Sequence, residues 1–415
     1  MKSTMMLPLV LLLLFVSGAA AAPLSDGEHL AGKRRQMIED LANLQFDRLG
    51  NPVLRWDHIP KVAAPKSDPH QLLVVLVEFQ DVQFDRFNGD PDQGSKLAAF
   101  YQETLFDPNY GRVGTLSHYF HNQSLGVYHL QGKVLTPFRL AKTRAAYGLP
   151  QRPAGGSWRN DSDTESLVEE VFLGVFAQHP DLDWRSFDRW DPTDFDGDGD
   201  LAESDGYLDH FVLVYAGGGQ SSCQRLYKID DILNPNVGEE ALATLSKPAR
   251  ECAERIWPHR FLVQKRTAEG PMVEGFLHAR GGVPIEPGLW GRDYNMQSEY
   301  TDTSTFIHEF GHSIGLPDIY ARTSYNSTGG WELMSGTASP LPQSLSAWSR
   351  MMLGWLRPHI VTPPDAHGKP VQSTYLSILD TPSAGPDDEA AQQKAGLNRN
   401  ASDLRKFFRH FRQLR

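Results

Sequence analysis

Two histidines four residues apart, His308 and His312, are the residues in this sequence best placed for chemistry. On a helix they lie on one face about one turn apart, and two imidazoles so placed can share a tetrahedral metal ion, usually zinc. Glu309 adjoins the first histidine and can accept a proton from a water molecule on that metal. The spacing therefore predicts a zinc-binding helix with an adjacent general base. The alternative for so short a motif is a helix that buries two core histidines.

The residues after the second histidine indicate a third ligand. Gly315 tolerates the left-handed backbone that ends a helix and reverses the chain, and Asp318 follows three residues later. A carboxylate at that point can return to the metal beside the two imidazoles. Phe306, Phe310 and Ile314 form a second row at helical spacing, so that one face of the helix packs into the core. We therefore predict that the zinc ligands are His308, His312 and Asp318.

A second group of potential ligands lies in an acidic run at residues 194–205. Its spacing fits a twelve-residue calcium loop, with carboxylates at positions 1, 3 and 5 and a glycine at position 6. Position 7 would contribute its backbone carbonyl, and position 12 is an aspartate where glutamate is usual. The spacing predicts a structural Ca²⁺ bound by Asp194, Asp196, Asp198, Asp200 and Asp205. The alternative is a solvated acidic turn without an ion.

Two continuous apolar runs, at residues 72–79 and 211–216, have the pattern of strands that are covered on both faces. Between them, residues 167–176 carry a broad apolar stripe at helical spacing. Strands and helices thus alternate along the chain. This order predicts an α+β catalytic domain at residues 70–356, built as a mixed, twisted sheet with packed helices, one of which carries the His-Glu-x-x-His motif.

The 415-residue chain has the composition of a globular protein, with 40% hydrophobic and 22% charged residues. Its formal net charge of -11 provides no basic field, which argues against a nucleic-acid partner. Lys2, an apolar run at 5–16 and small residues at 17–22 have the pattern of a signal peptide at 1–22, with an uncleaved anchor as the alternative. No later segment is long enough for a stable membrane span. We therefore expect a secreted, extracellular or periplasmic protein.

The segments on either side of the domain and the two cysteines leave alternatives open. Residues 23–69 carry a short amphipathic stretch that suits a propeptide or an N-terminal extension packed on the domain. Residues 357–415 are a polar linker and a basic amphipathic helix, which docks on the acidic body of the protein or makes weak contact with a membrane surface. Cys223 and Cys252 form one disulfide in an exported chain, or stay free thiols if they lie too far apart.

Several segments of the sequence together resemble one family. They are residues 75–81, 124–126, 194–216, 257–260, 308–320, 330–336 and 353–355. The extended motif that ends at Asp318 resembles that of metzincin-type proteases, and residues 331–336 resemble the turn in which a methionine, here Met334, lies beneath the metal. More closely, the chain over residues 70–356 is similar to the immune inhibitor A family of secreted metalloproteases. This resemblance implies a zincin fold, a propeptide, zinc at the three predicted ligands and endopeptidase activity.

We therefore expect a secreted zinc endopeptidase, made as a zymogen and monomeric, that hydrolyses peptide bonds in protein or peptide substrates. A zinc-bound water activated by Glu309 would attack the peptide carbonyl. Two alternatives remain: a catalytically silent binding protein with the zincin fold, and a zinc hydrolase that acts on a non-peptide amide. The complete set of predicted ligands and base argues against the silent protein.

Overall fold

The computed structural model describes residues 69–107, 115–151, 161–198, 200–229, 240–319, 328, 331–335 and 342–356, together with the backbone of two short strands, Gln45–Phe46 and Pro52–Val53. The predicted signal peptide at 1–22 and the predicted tail at 357–415 lie outside the described residues, as does nearly all of the predicted propeptide at 23–69. None of the helices in the described ranges is long and apolar enough to cross a membrane.

The strands in the described part of the chain are β1 (Gln45–Phe46), β2 (Pro52–Val53), β3 (His70–Glu78), β4 (Leu130–Arg139), β5 (His210–Tyr215), β6 (His259–Leu262), β7 (Met272–Val273), β8 (Phe276–Leu277), β9 (Val283–Glu286), β10 (Leu289–Gly291) and β11 (Asp293–Ser298). The α-helices are α1 (Gln93–Phe106), α2 (Leu116–Gln123), α3 (Arg144–Gly148), α4 (Thr164–Gln178), α5 (Gln224–Tyr227), α6 (Glu240–Thr244), α7 (Lys247–Ala253), α8 (Thr303–Ser313) and α9 (Ala347–Met352). Short 3-10 helices occur at Trp184–Phe187, Gln220–Ser222 and Leu333–Ser335. Helices separate β3, β4, β5 and β6 in the described part of the chain, and β6 to β11 then follow one another without a helix between them.

Five of the strands form the central sheet, in the order β4-β3-β5-β11-β6. The first four run parallel, and β6 pairs with β11 in the antiparallel direction at the edge. The chain passes through α1 and α2 between β3 and β4, and through α3 and α4 between β4 and β5. Parallel neighbours require such long connections. The predicted mixed sheet with packed helices is confirmed, and because the sheet is mostly parallel the domain is better described as mixed α/β than as α+β.

Strand β3 separates two hydrophobic cores, because its side chains point alternately to the two faces of the sheet. On one face Leu72 and Val74 pack in a core with residues of α1, α2 and α8. On the other face Leu73 and Val75 pack with residues of α4. All four side chains have no exposed surface. The predicted burial of this strand on both faces is confirmed, and so is the predicted helix at residues 167–176, which lies within α4.

A small third core surrounds a disulfide between Cys223 and Cys252, whose sulfur atoms lie 2.00 Å apart. Ile229, Ala249 and Ala253 pack around it. Of the two alternatives that the sequence left open, a disulfide or free thiols, the structure contains the disulfide. It links the segment after β5 to the segment that leads into the edge strand β6.

Candidate active site

Helix α8 carries the two histidines and packs against β11 and β6. It begins at Asp302, whose Oδ1 accepts a hydrogen bond from the backbone N–H of Thr305 at 2.8 Å. It ends in a reversal at Gly315, where φ is 98° and the backbone N–H donates to the carbonyl of His312 at 2.9 Å. The predicted reversal of the chain at Gly315 is confirmed, and it directs the following residues back towards the helix.

The side chains of His308, His312 and Asp318 meet at one point. Oδ1 of Asp318 lies 3.1 Å from Nε2 of His308 and 3.3 Å from Nε2 of His312. In a tetrahedral zinc site with ligand bonds of about 2.0–2.1 Å, neighbouring ligand atoms lie roughly 3.3 Å apart. His308 and His312 are both buried, with exposed fractions of 6% and 4%. The structure therefore brings the three predicted ligands together at separations that fit a zinc ion.

Backbone carbonyls fix the orientation of both imidazoles. Nδ1 of His308 lies 2.9 Å from the carbonyl oxygen of Leu333, and Nδ1 of His312 lies 2.7 Å from that of Leu316. Because a carbonyl oxygen only accepts, each Nδ1 carries the proton. Each Nε2 is thereby directed towards Asp318, and in the neutral ring it presents a lone pair. This is how metal-binding histidines are commonly oriented by their surroundings.

The electrostatics of this group favour a positive charge at its centre. Burial lowers the pKa of His308, but the hydrogen bond with Asp318 and the charge of Glu309 outweigh it and raise the pKa to about 9. Burial raises the pKa of Asp318, but its hydrogen bonds with His308 and His312 outweigh that effect and hold the pKa well below its usual range. The carboxylate thus stays ionised inside the protein, where a cation is its natural counter-charge.

Glu309 is half-buried on α8, next to the first predicted ligand. Its negative charge opposes the effect of burial on the pKa of both His308 and His259, the first residue of β6. The carboxylate therefore lies within electrostatic reach of both the group of three and the edge strand. It is not a member of that group, whose ligand atoms come from the other three residues. This leaves it available to exchange protons.

The 3-10 turn Leu333–Ser335 lies under the same helix and supports the group of three. The carbonyl of Leu333 holds His308, and the carbonyl of Met334 accepts a hydrogen bond at 3.0 Å from the N–H of Ile319, the residue after Asp318. Met334 is completely buried and contacts α8 at Gly311. The predicted supporting methionine therefore lies in a turn that is tied to two of the three residues.

Sequence reasoning missed Glu332, a buried carboxylate that shapes this turn. Its two oxygens accept hydrogen bonds from the N–H of Met334, from the N–H of Ser346 at 3.2 Å and from the hydroxyl of Ser349 at 2.6 Å. The glutamate thus joins the turn to the first residues of α9. Its position in the Trp-Glu-Leu-Met-Ser segment offered a signal, but Ser346 and Ser349 lie outside that segment and cannot be found from local spacing.

In the acidic run at residues 194–205, fewer carboxylates lie close together than the calcium-loop prediction requires. Asp194, Asp196 and Asp198 bring their oxygens within 4.8 Å of one another. The carboxylate of Asp200 instead accepts a hydrogen bond from the N–H of Ala202 at 2.9 Å, although its predicted contribution was the backbone carbonyl. The carboxylate of Asp205 is not brought into this group, because it is buried and accepts from the N–H of Tyr207 at 2.9 Å.

Glu203 is a further acidic residue of this loop that the spacing did not single out. Burial and then the negative charges of Asp196 and Asp198 raise the pKa of its carboxyl to about 7. A shift of this kind shows that the loop concentrates negative charge on Glu203. A bound cation would relieve this repulsion.

Two imidazoles and a carboxylate are side chains that could hold a catalytic metal ion, and a second carboxylate lies alongside them. The family model described as the catalytic domain of immune inhibitor A peptidase M6 matches residues 60–233 and 229–342. The chain therefore belongs to this peptidase family, and its catalytic domain is that of a metallopeptidase. The predicted resemblance to the immune inhibitor A family is confirmed.

Curated relatives agree with this assignment. The chain is 26% identical over 308 residues to the pre-pro-metalloprotease PrtV of Vibrio cholerae serotype O1, a match that covers 68% of this chain and 29% of the relative. It is 27% identical over 282 residues to immune inhibitor A of Bacillus thuringiensis subsp. alesti, which covers 64% of this chain and 36% of the relative. The chain thus spans about a third of the length of these relatives.

Proposed function

We propose that this protein is a zinc endopeptidase with a zincin-type catalytic domain, in which Nε2 of His308, Nε2 of His312 and Oδ1 of Asp318 bind the metal. The observation that carries the proposal is the convergence of these three atoms. Oδ1 of Asp318 lies 3.1 Å from Nε2 of His308 and 3.3 Å from Nε2 of His312. Two nitrogen donors and one carboxylate are a ligand set that zinc favours in catalytic sites.

Zinc bound at this point supplies Lewis-acid polarisation of oxygen atoms. Glu309 is the general base: its carboxylate takes a proton from the attacking water as the oxygen bonds to the peptide carbonyl carbon. It then gives that proton to the leaving nitrogen as the carbon–nitrogen bond breaks, so that acid and amine products form and the glutamate is regenerated. During these steps the Nδ1–H groups of His308 and His312 stay hydrogen-bonded to backbone carbonyls.

The proposed substrates are proteins or peptides, and the proposed site of action is outside the cytoplasm. Support comes from the relative named as a pre-pro-metalloprotease and from the signal-like residues 1–22. In this scheme residues 23–69 are removed as a propeptide, residues 70–356 form the catalytic domain and act as a monomer, and residues 357–415 follow as a tail.

We also propose that Asp194, Asp196 and Asp198 bind a structural Ca²⁺. The proposal is supported by the convergence of their oxygens and by the negative charges of Asp196 and Asp198, which raise the pKa of Glu203. Carboxylate oxygens are the ligands that calcium prefers. The role of such an ion would be to hold the loop between α4 and β5.

The zinc site is tested by measuring metal content in the parent and in His312→Ala. We expect about one zinc ion per chain in the parent and loss of that zinc from the variant under the same dialysis. The matched control is His179→Ala, since His179 follows α4 on the opposite face of the sheet. Retention of a full equivalent of zinc by His312→Ala would contradict the proposed ligand set, whatever the activity.

A further inference from the structure

Two arginines lie against the glycine loop at residues 217–219, which follows β5. Arg144 is the first residue of α3, and Arg255 follows α7. A β-carbon on Gly217 would lie 3.4 Å from Nη1 of Arg144, and one on Gly218 would lie 2.8 Å from Nη1 of Arg255. Both guanidiniums therefore lie against consecutive glycines of the loop.

Neither guanidinium has a carboxylate partner among the described residues. Nε of Arg144 and Nε of Arg255 are buried and have no hydrogen-bond partner among the described residues, and the Arg255 guanidinium donates to the hydroxyl of Ser222 at 3.4 Å. Two carboxylates, those of Asp81 and Glu254, lie close enough that their charges oppose the lowering of the pKa of Arg144. Asp81 accepts from the backbone N–H of Arg144 at 2.8 Å, and Glu254 pairs with Arg250 at 3.1 Å. The two buried Nε groups are donors without acceptors, and an anion bound between the two side chains would supply acceptors.

A third polar side chain of the same loop is also unsatisfied. Gln220 has no exposed surface, and neither its amide nitrogen nor its amide oxygen has a partner in the described part of the chain. Its backbone N–H donates to the carbonyl of Ile256 at 2.9 Å, which holds it beside Arg255. Buried amides are nearly always hydrogen-bonded, and an exception at this position indicates a missing ligand.

The two guanidiniums also affect each other. Burial lowers the pKa of Arg144, and the positive charge of Arg255 lowers it further. The two cations therefore lie close enough to repel each other. An anion between them would remove the repulsion and would satisfy donors that now have no acceptor.

We propose that Arg144, Arg255 and Gln220 form a binding site for a small oxyanion, a phosphate or a carboxylate, which is separate from the zinc site. Guanidiniums suit this role because their planar donors match two oxygens of one anion. The disulfide between Cys223 and Cys252 joins the segments that carry Gln220 and Arg255, so it holds the two sides of the site together. The site shares no residue with the proposed metal centre, and it does not depend on peptidase activity.

Thermal unfolding of the full-length protein tests the proposal, in sodium phosphate, sodium acetate or sodium chloride at the same pH and ionic strength. We expect about 20 mM of the bound anion to raise the unfolding midpoint of the parent by about 3 °C over chloride. Arg144→Gln and Arg255→Gln should each keep less than about a third of that shift. The matched control is Arg185→Gln, a surface arginine paired with Glu286, which should keep all of it.

Comparing phosphate with acetate distinguishes the two classes of anion that the site could bind. A shift in phosphate alone identifies a tetrahedral oxyanion, and a shift in acetate identifies a carboxylate. Calorimetric titration of the folded parent with the active anion should give a dissociation constant at least about tenfold tighter than that of Arg255→Gln. The proposal is overturned if neither anion shifts the parent beyond chloride, or if both arginine variants keep the full shift.

Discussion

Sδ of Met334 lies 2.8 Å from the point that a β-carbon on Gly311 would occupy. Gly311 stands between the two histidines on α8, and Met334 is completely buried beneath it. The carbonyl of the preceding residue, Leu333, orients His308. The methionine side chain, the helix and the first imidazole are thus packed as one unit, which requires glycine in the middle of the metal-binding motif.

Gly311→Ala should disturb this unit. The added methyl group must displace the side chain of Met334, which follows Leu333, the residue whose carbonyl holds His308. We expect the free energy of unfolding to fall by about 1–3 kcal/mol and zinc affinity to fall by about 10–100-fold, as found when the partners of metal ligands are moved. Zinc titration in a competing chelator measures the affinity. Combining Gly311→Ala with Met334→Val should restore part of the loss, and undiminished affinity in Gly311→Ala alone would show that the contact does not support the site.

The carboxyl group of Asp161 makes the free energy of unfolding depend on pH. Asp161 accepts a hydrogen bond from the N–H of Trp257 at 3.1 Å, and burial raises its pKa to about 8 against the opposing effect of that bond. Its pKa in the unfolded chain is about 3.9, so between pH ~4 and ~8 the folded state binds more protons than the unfolded state. This contribution therefore weakens as pH rises through that window and is constant above it.

Asp161→Asn should remove this dependence, because an amide keeps the acceptor for Trp257 and carries no charge. Relative to the parent, we expect the variant to gain about 4 kcal/mol in free energy of unfolding between pH 5 and pH 9. Urea unfolding at the two pH values measures the gain, with the exposed Asp181→Asn as control. An equal pH dependence in Asp161→Asn and the parent would show that Asp161 does not titrate in this window.

Calcium should stabilise the loop that contains Asp194, Asp196 and Asp198. We expect Ca²⁺ at about 100 times its dissociation constant to raise the unfolding midpoint by about 5 °C, and Asp196→Asn to lose most of this rise. Differential scanning calorimetry with Ca²⁺ and with Mg²⁺ measures the effect, and exposed Asp183→Asn serves as the control. The same rise in Asp196→Asn, or no rise in the parent, would argue for a solvated turn without an ion.

Local patterns in the sequence predicted the parts of the fold that depend on local spacing. The apolar run that forms β3 and the reversal at Gly315 could be read directly, since each reflects the conformation of a few consecutive residues. The convergence of His308, His312 and Asp318 followed from helical spacing plus one turn. The predicted supporting methionine was placed by its resemblance to a known turn.

Features that depend on distant contacts could not be read in this way. The strand order of the sheet and the bonds of Glu332 to Ser346 and Ser349 join residues that are not neighbours in the sequence, so no local period encodes them. The same holds for Gly311, whose constraint comes from Met334 across the core. Asp205 occupies the expected position in the calcium loop, but its carboxylate is taken by the N–H of Tyr207. Arg144 and Arg255 lie more than one hundred residues apart in the sequence and meet only in the folded protein.

Casein hydrolysis by the purified protein and by Glu309→Gln, with bound zinc quantified in both, tests the central claim most directly. We predict about one zinc ion in each sample, and hydrolysis by the variant that is slower by about 10²–10⁴-fold, because only the proton carrier has been removed. Hydrolysis at the parent's rate by Glu309→Gln would contradict the account. So would a zinc-loaded parent that fails to cleave casein even after residues 23–69 have been removed.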